Sequence, residues 1–118
     1  MSLWLAALNA AVAMVSVGFA VTGVVAPAAL AGSDAVASTR YYAAMYAARA
    51  VPLGCAVLIA AFLSISNGAW IVLLAGAGVC QVGDAVIGLW RRIPGQVAGS
   101  VLVGTIHLAS MTHLLATK

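Results

Sequence analysis

The segment Ala69–Trp90, AWIVLLAGAGVCQVGDAVIGLW, decides the fold because it is long, apolar and interrupted by one ionisable residue, Asp84. About 20 apolar residues suffice for a helix to cross roughly 30 Å of hydrocarbon, so the segment predicts a membrane-spanning helix. A carboxylate at that depth costs several kcal/mol unless a partner, a cavity or a substrate compensates it. Asp84 therefore marks a candidate functional site, and its partners are expected in the other apolar segments.

The composition of the chain supports an integral membrane protein. Its 118 residues are 65% hydrophobic and 6% charged, with a mean hydropathy of +1.18, whereas soluble domains are about 25% charged. Three more segments are long enough to span a bilayer: Leu3–Val25, Tyr41–Leu63 and Gln96–Ala116. We predict an all-α fold, a four-transmembrane-helix bundle with up-down topology, formed by residues 1–118 as one domain.

The positive charges indicate orientation and not nucleic-acid binding. The net charge is +3, and the five Lys and Arg residues lie mainly at segment ends. Arg40, Arg91 and Arg92 all fall on one side of the predicted bundle, whereas the Ser64–Gly68 turn on the other side carries no charge. By the positive-inside rule, both termini are expected to lie outside the cytoplasm.

Local signals indicate the segment boundaries. Pro27 ends the first span and is suited to begin a short interfacial helix. Ser38 or Thr39 is placed to cap the second spanning helix. Pro94 and Gly95 are typical of the turn before the fourth.

The remaining reactive residue types have simple interpretations. Cys55 and Cys80 fall inside spans, which favours packed small hydrophobes over a disulfide or a metal site. Asp34 lies in the polar linker and is interpreted as a solvated or capping residue. We expect no metal and no cofactor.

The second spanning helix carries a polar stripe. Tyr42, Tyr46 and Arg49 follow at i, i+4 and i+7, so they share one face. Arg49 lies about eight residues inside, roughly 12 Å deep, where its side chain either meets a buried partner or reaches back to the interface. Pro52 is expected to kink this helix, which either widens a cavity or serves packing alone.

The third spanning helix offers the partner. Gln81, Asp84 and Gly88 share a face, and Asp84 lies on the order of 10 Å from the interface that Trp90 marks. The second and third helices are joined by a short turn, so they should be antiparallel neighbours. Because the depths match, we predict that Arg49 and Asp84 interact.

The first and fourth spanning helices each present a polar face. The residues of the fourth, spaced alternately by four and three, are Gln96, Ser100, Gly104, His107 and Met111. His107 lies about 18 Å from the cytoplasmic end, near the bilayer centre, whereas His113 lies on another face near the outer interface. In the first helix, Asn9, Ser16 and Gly23 favour close helix packing, with Asn9 in a ligand cavity as the alternative.

Together these faces predict one pocket inside the bundle, open towards the cytoplasm. The candidate catalytic residues are Asp84 and His107. The candidate substrate-binding residues are Arg49, Tyr46, Gln81, Tyr42, Ser100 and Asn9. The alternative is that Arg, Asp and His satisfy one another and fix the register of the bundle without any chemistry.

Three short segments carry a resemblance to a family. YAARAVPLG at 46–54, QVGDAVIG at 81–88 and IHL at 106–108 resemble the Arg, Gly-Asp and His signatures of small four-helix bacterial membrane proteins of uncharacterised families, grouped loosely with DoxX-like proteins. The resemblance implies a multi-pass protein of the bacterial inner membrane. The architecture is also similar, at fold level alone, to the emopamil-binding sterol isomerases. Small multidrug transporters match in size, but they rely on a Glu in the first helix, and this sequence has no Glu.

Three functions remain open at this stage. The first is a membrane-embedded isomerase or cyclase for a lipophilic small molecule, in which Asp84 and His107 exchange protons and Arg49 with Tyr46 orients the substrate. The second is a proton-coupled transporter built around Asp84, and the third is a non-catalytic interaction or assembly subunit. An enzyme needs an enclosed pocket within one protomer, a transporter needs access from both sides, and a scaffold needs neither. The expected partners are the lipid bilayer and the ligand, without nucleic acid, and a homo-oligomer remains open.

Overall fold

The computed structural model describes residues 1–31 and 37–117 and contains five helices within those ranges. They are α1 (Leu3–Val25), α2 (Pro27–Ala31), α3 (Ala37–Phe62), α4 (Asn67–Arg91) and α5 (Pro94–Ala116). The four long helices are each apolar and long enough to cross a membrane. The predicted all-α, four-helix bundle is therefore confirmed.

Several predicted boundaries need correction. The short helix at Pro27 is confirmed as α2. The cap assigned to Ser38 or Thr39 is wrong, because α3 already begins at Ala37 and contains both residues; Ser and Thr favour helix starts but are also tolerated in interiors. The turn assigned to Pro94 and Gly95 is also wrong, because Pro94 is the first residue of α5.

Proline suits that position because its missing N–H would have no partner in the first helical turn anyway. The connection between α4 and α5 is consequently very short. Arg92 takes the left-handed conformation at φ 56°, and the N–H of Ile93 donates to the carbonyl of Gly88 at 2.9 Å. This is the usual way to close the end of a helix, and it sends α5 back antiparallel to α4. The linker prediction for Asp34 lies outside the described residues.

The four long helices contact one another in the ring order α1, α3, α4, α5, with close packing in the pairs α1–α3 and α4–α5 and sparser contact between the pairs. Glycines permit the close packing. A Cβ at Gly54 of α3 would overlap the Val17 side chain of α1, and a Cβ at Gly78 of α4 would overlap Leu108 of α5. The bundle is thus two tight helix pairs that meet along a looser seam.

The two ends of the bundle are packed differently. At the terminal end, which carries the chain termini and the α3–α4 turn, the Met1 ammonium donates to Asn67 Oδ1 at 2.7 Å. The apolar core extends from this end towards the middle and is formed by Ala6, Ala13, Val57, Ala60, Trp70, Leu74, Ala77 and Leu114. At the loop end, where α3 begins and α4 turns into α5, the Arg91 guanidinium lies 5.9 Å from the ring centre of Tyr42. Polar contacts therefore replace the apolar core towards the loop end.

Candidate functional site

An ion pair bridges the seam between α3 and α4. The guanidinium of Arg49 donates to Asp84 Oδ1, and the Asp84 side chain is only 5% exposed while that of Arg49 is 44% exposed. The predicted Arg49–Asp84 interaction is therefore confirmed. The guanidinium also lies 5.7 Å from the ring centre of Tyr46, within range of a cation–π contact. The charge of the carboxylate is compensated as its depth in the bundle requires.

A side chain from α5 holds the backbone next to this pair. Gln96 Nε2 donates to the backbone carbonyl of Asp84 at 2.9 Å. That carbonyl lies in a helical turn, so the bond ties the first turns of α5 to the loop-end half of α4. The position of Asp84 is thereby fixed from two neighbouring helices.

A second polar cluster joins α1 to α5, the other place at which the two helix pairs meet. Asn9, His107 and Ser110 are all buried, with exposures of 0%, 2% and 3%. The amide nitrogen of Asn9 donates to the Leu5 carbonyl at 2.9 Å and to Ser110 Oγ at 2.8 Å. Its amide oxygen lies 2.7 Å from His107 Nδ1. Every polar atom of the Asn9 side chain is therefore engaged.

A cavity lies between the two clusters. The volume that the centre of a water molecule can reach inside the cavity is about 20 Å³. One bound water molecule needs about 10 to 15 Å³ of this volume. Its polar and ionisable lining residues come from all four long helices and are Ser16, Arg49, Cys80, Gln81, Asp84 and His107. In this conformation the cavity accommodates roughly one water molecule and no larger ligand.

Four of the predicted site residues line this cavity, namely Arg49, Gln81, Asp84 and His107. The other four lie outside its lining. Asn9 forms a hydrogen bond with Nδ1 of His107, and Tyr46 contacts Arg49. Tyr42 is 59% exposed beside Arg91, and Ser100 is buried elsewhere in α5. His113 is exposed, away from the site.

One member of the second cluster, Ser110, is not among the site residues predicted from the sequence. Ser110 follows His107 by three residues, and that spacing places both on one face of α5. The signal was therefore present, but Ser110 alone is indistinguishable from a packing residue. Its partner Asn9 lies on a different helix, and only the relative rotation of α1 and α5 brings the two together.

The chemistry available here is proton exchange and hydrogen bonding. Asp84 contributes a carboxylate and His107 an imidazole to the lining, and both types of group can exchange protons. In the part of the chain that the structure describes, His, Cys, Asp and Glu side chains form no group of three that is suited to hold a metal ion. The site thus combines a carboxylate, an imidazole and a guanidinium around a small cavity.

Comparison with protein-family models, with curated proteins and with solved structures finds no match to this chain.

Proposed function

We propose that this chain is a membrane-embedded acid/base enzyme, an isomerase or cyclase that acts on a lipophilic small molecule inside the bundle. The single observation that carries the proposal is that Asp84 and His107 line one cavity, to which all four long helices contribute residues. A carboxylate and an imidazole that face one small space are the groups that general acid/base catalysis uses most often.

Each residue has a role in this proposal. One of Asp84 and His107 removes a proton from the substrate and passes it to the other, which returns it to the substrate at a second position, so the composition of the substrate does not change. Both groups are then back in their starting states. Arg49 holds the Asp84 carboxylate in place and stabilises negative charge that develops on the substrate. Tyr46 orients the guanidinium of Arg49.

Substrate entry requires the helix pairs to separate. The cavity is too small for a lipophilic molecule in this conformation, and the contacts between α3 and α4 are sparse compared with those within each pair. The apolar core at the terminal end, which includes Trp70 and Leu74, opposes opening on that side. We infer that the substrate enters nearer the loop end, past Arg49, whose side chain is 44% exposed.

A second candidate function is a non-catalytic interaction or assembly subunit. The water-sized cavity favours it. So does hydrogen bonding: among the described residues, each polar side-chain atom that is itself fully inaccessible to water has a hydrogen-bond partner. A proton-coupled transporter built on Asp84 is less favoured, because it needs access from both sides and the terminal end is filled by apolar side chains.

We also propose the membrane and the orientation. The four spanning helices support a multi-pass membrane protein, and the resemblance to DoxX-like proteins favours the bacterial inner membrane. Arg40, Arg91 and Arg92 lie at the loop end, so that end is assigned to the cytoplasm and the termini to the opposite side.

The test is a comparison of purified variants on an extract of cellular lipids. An isomerase converts one compound into another of the same mass and different chromatographic retention. We expect wild-type protein and His113→Ala to show this conversion, and Asp84→Asn and His107→Ala to lose it while they remain folded and monodisperse. Wild-type protein without conversion, or equal conversion by all four proteins, contradicts the enzyme and leaves the assembly subunit.

A further inference from the structure

The contacts of Asn9 fix where its two amide atoms lie. The Leu5 backbone carbonyl is an acceptor only, so the Asn9 atom 2.9 Å from it must be the NH₂ group. The other terminal atom of Asn9 is then its oxygen, which lies 2.7 Å from His107 Nδ1. An amide oxygen only accepts, so Nδ1 must carry the proton in this hydrogen bond.

In a neutral imidazole, one ring nitrogen is protonated and the other carries a lone pair. With the proton on Nδ1, the lone pair is on Nε2, which points away from Asn9. His107 is buried, with an exposure of 2%, and it lines the cavity together with Asp84 and Gln81. Within the described residues, the hydrogen bonds of the His107 side chain run through Nδ1.

We propose that Asn9 is a positioning residue that holds His107 as the Nδ1–H tautomer, so that Nε2 presents a hydrogen-bond acceptor to the cavity. The carboxylate of Asp84, ionised in its pair with Arg49, is an acceptor as well. A donor that lies between these two acceptors can form a hydrogen bond with each of them. A water molecule can donate to both and fits a cavity of about 20 Å³.

The two acceptors also indicate a class of substrate, an inference that rests on the proposed function. A lipophilic molecule that replaces the water must supply a hydrogen-bond donor, because a ligand that removes a bridging water without reproducing its bonds loses affinity. A hydroxyl group on an apolar skeleton meets that requirement. His107 then accepts the hydrogen bond of the hydroxyl group at Nε2 and is the group placed to receive its proton.

The tautomer is measured by ¹⁵N NMR of histidine-labelled protein in the His113→Ala background, which leaves His107 as the single histidine. We expect a protonated Nδ1 and an unprotonated Nε2 at neutral pH. Asn9→Leu removes the acceptor, so both tautomers should become populated. Ser110→Ala is the matched control: it removes a bond to the Asn9 nitrogen but not the oxygen that faces His107, and it should leave the tautomer unchanged.

A proton on Nε2, or on both nitrogens, in the protein without changes at Asn9 overturns the proposal, and so does an unchanged tautomer in Asn9→Leu. If Asn9→Leu does not fold, the first measurement decides alone. The ligand class is tested by adding 1-octanol and, separately, its methyl ether, which lacks the donor. The alcohol should shift the Nε2 signal and the ether should not. An equal shift of the Nε2 signal with both compounds, or no shift with either, overturns the ligand class but not the tautomer. Neither measurement depends on catalytic turnover.

Discussion

Arg49 of α3 and Asp84 of α4 form an ion pair across the seam where the two helix pairs of the bundle meet, and the two partners differ sharply in burial. The carboxylate side chain is 5% exposed and the arginine side chain 44%. When a charged side chain loses its partner, the protein loses stability, and the loss is larger when that side chain is more deeply buried. The asymmetry in burial therefore predicts an asymmetry between the two single variants.

We expect Arg49→Leu to destabilise the protein more than Asp84→Leu. Removal of Arg49 leaves the buried carboxylate without its partner, at about 3 to 5 kcal/mol. Removal of Asp84 leaves an arginine that can extend towards the headgroups, so its cost should be smaller. The double variant should lose less than the sum of the two. Thermal unfolding in detergent measures all three, and strictly additive losses would show that the residues are not coupled.

Close helix packing at one glycine gives a prediction with an internal control. Gly78→Ala should destabilise by about 1 to 3 kcal/mol, because the added methyl group overlaps Leu108 and forces α4 and α5 apart. Gly76 lies on the same helix, and nothing is within 4 Å of a Cβ built there. Gly76→Ala should therefore be neutral or slightly stabilising. Equal effects of the two variants on the unfolding temperature would contradict the packing that we describe for this pair.

The sequence predicted the four spans and the Arg49–Asp84 pair because both follow from length and depth along single helices. It did not predict that Tyr42 contacts Arg91 at the loop end, nor that Asn9 bonds His107. Those contacts depend on how each helix is rotated towards its neighbours. Lipid is as apolar as the bundle core, so membrane helices are apolar on all sides and the sequence gives little indication of rotation. Cavity size depends on the same rotations, and it could not be estimated either.

The orientation of the bundle is testable independently of its function. Three arginines at the loop end predict that this end faces the cytoplasm, so a reporter fused after Lys118 should lie outside it. A periplasmic reporter should be active at this position and a cytoplasmic one inactive. Substitution of Arg91 and Arg92 by Ala together should weaken the preference. A fusion that is active only in the cytoplasm would reverse the assignment of the two ends.

The last prediction compares two partners in the buried cluster between α1 and α5. Ser110→Ala removes one hydrogen bond, but the Asn9 nitrogen keeps its bond to the Leu5 carbonyl. Hydrogen bonds between membrane helices contribute about 0.6 kcal/mol on average, and the loss should be of that order. Asn9→Ala removes the partners of both Ser110 and His107 Nδ1, and an unsatisfied buried polar group costs about 1 to 3 kcal/mol. Asn9→Ala should therefore unfold in detergent at a clearly lower temperature than Ser110→Ala. Indistinguishable losses would mean that the bond between Asn9 and His107 contributes nothing to the stability of the bundle.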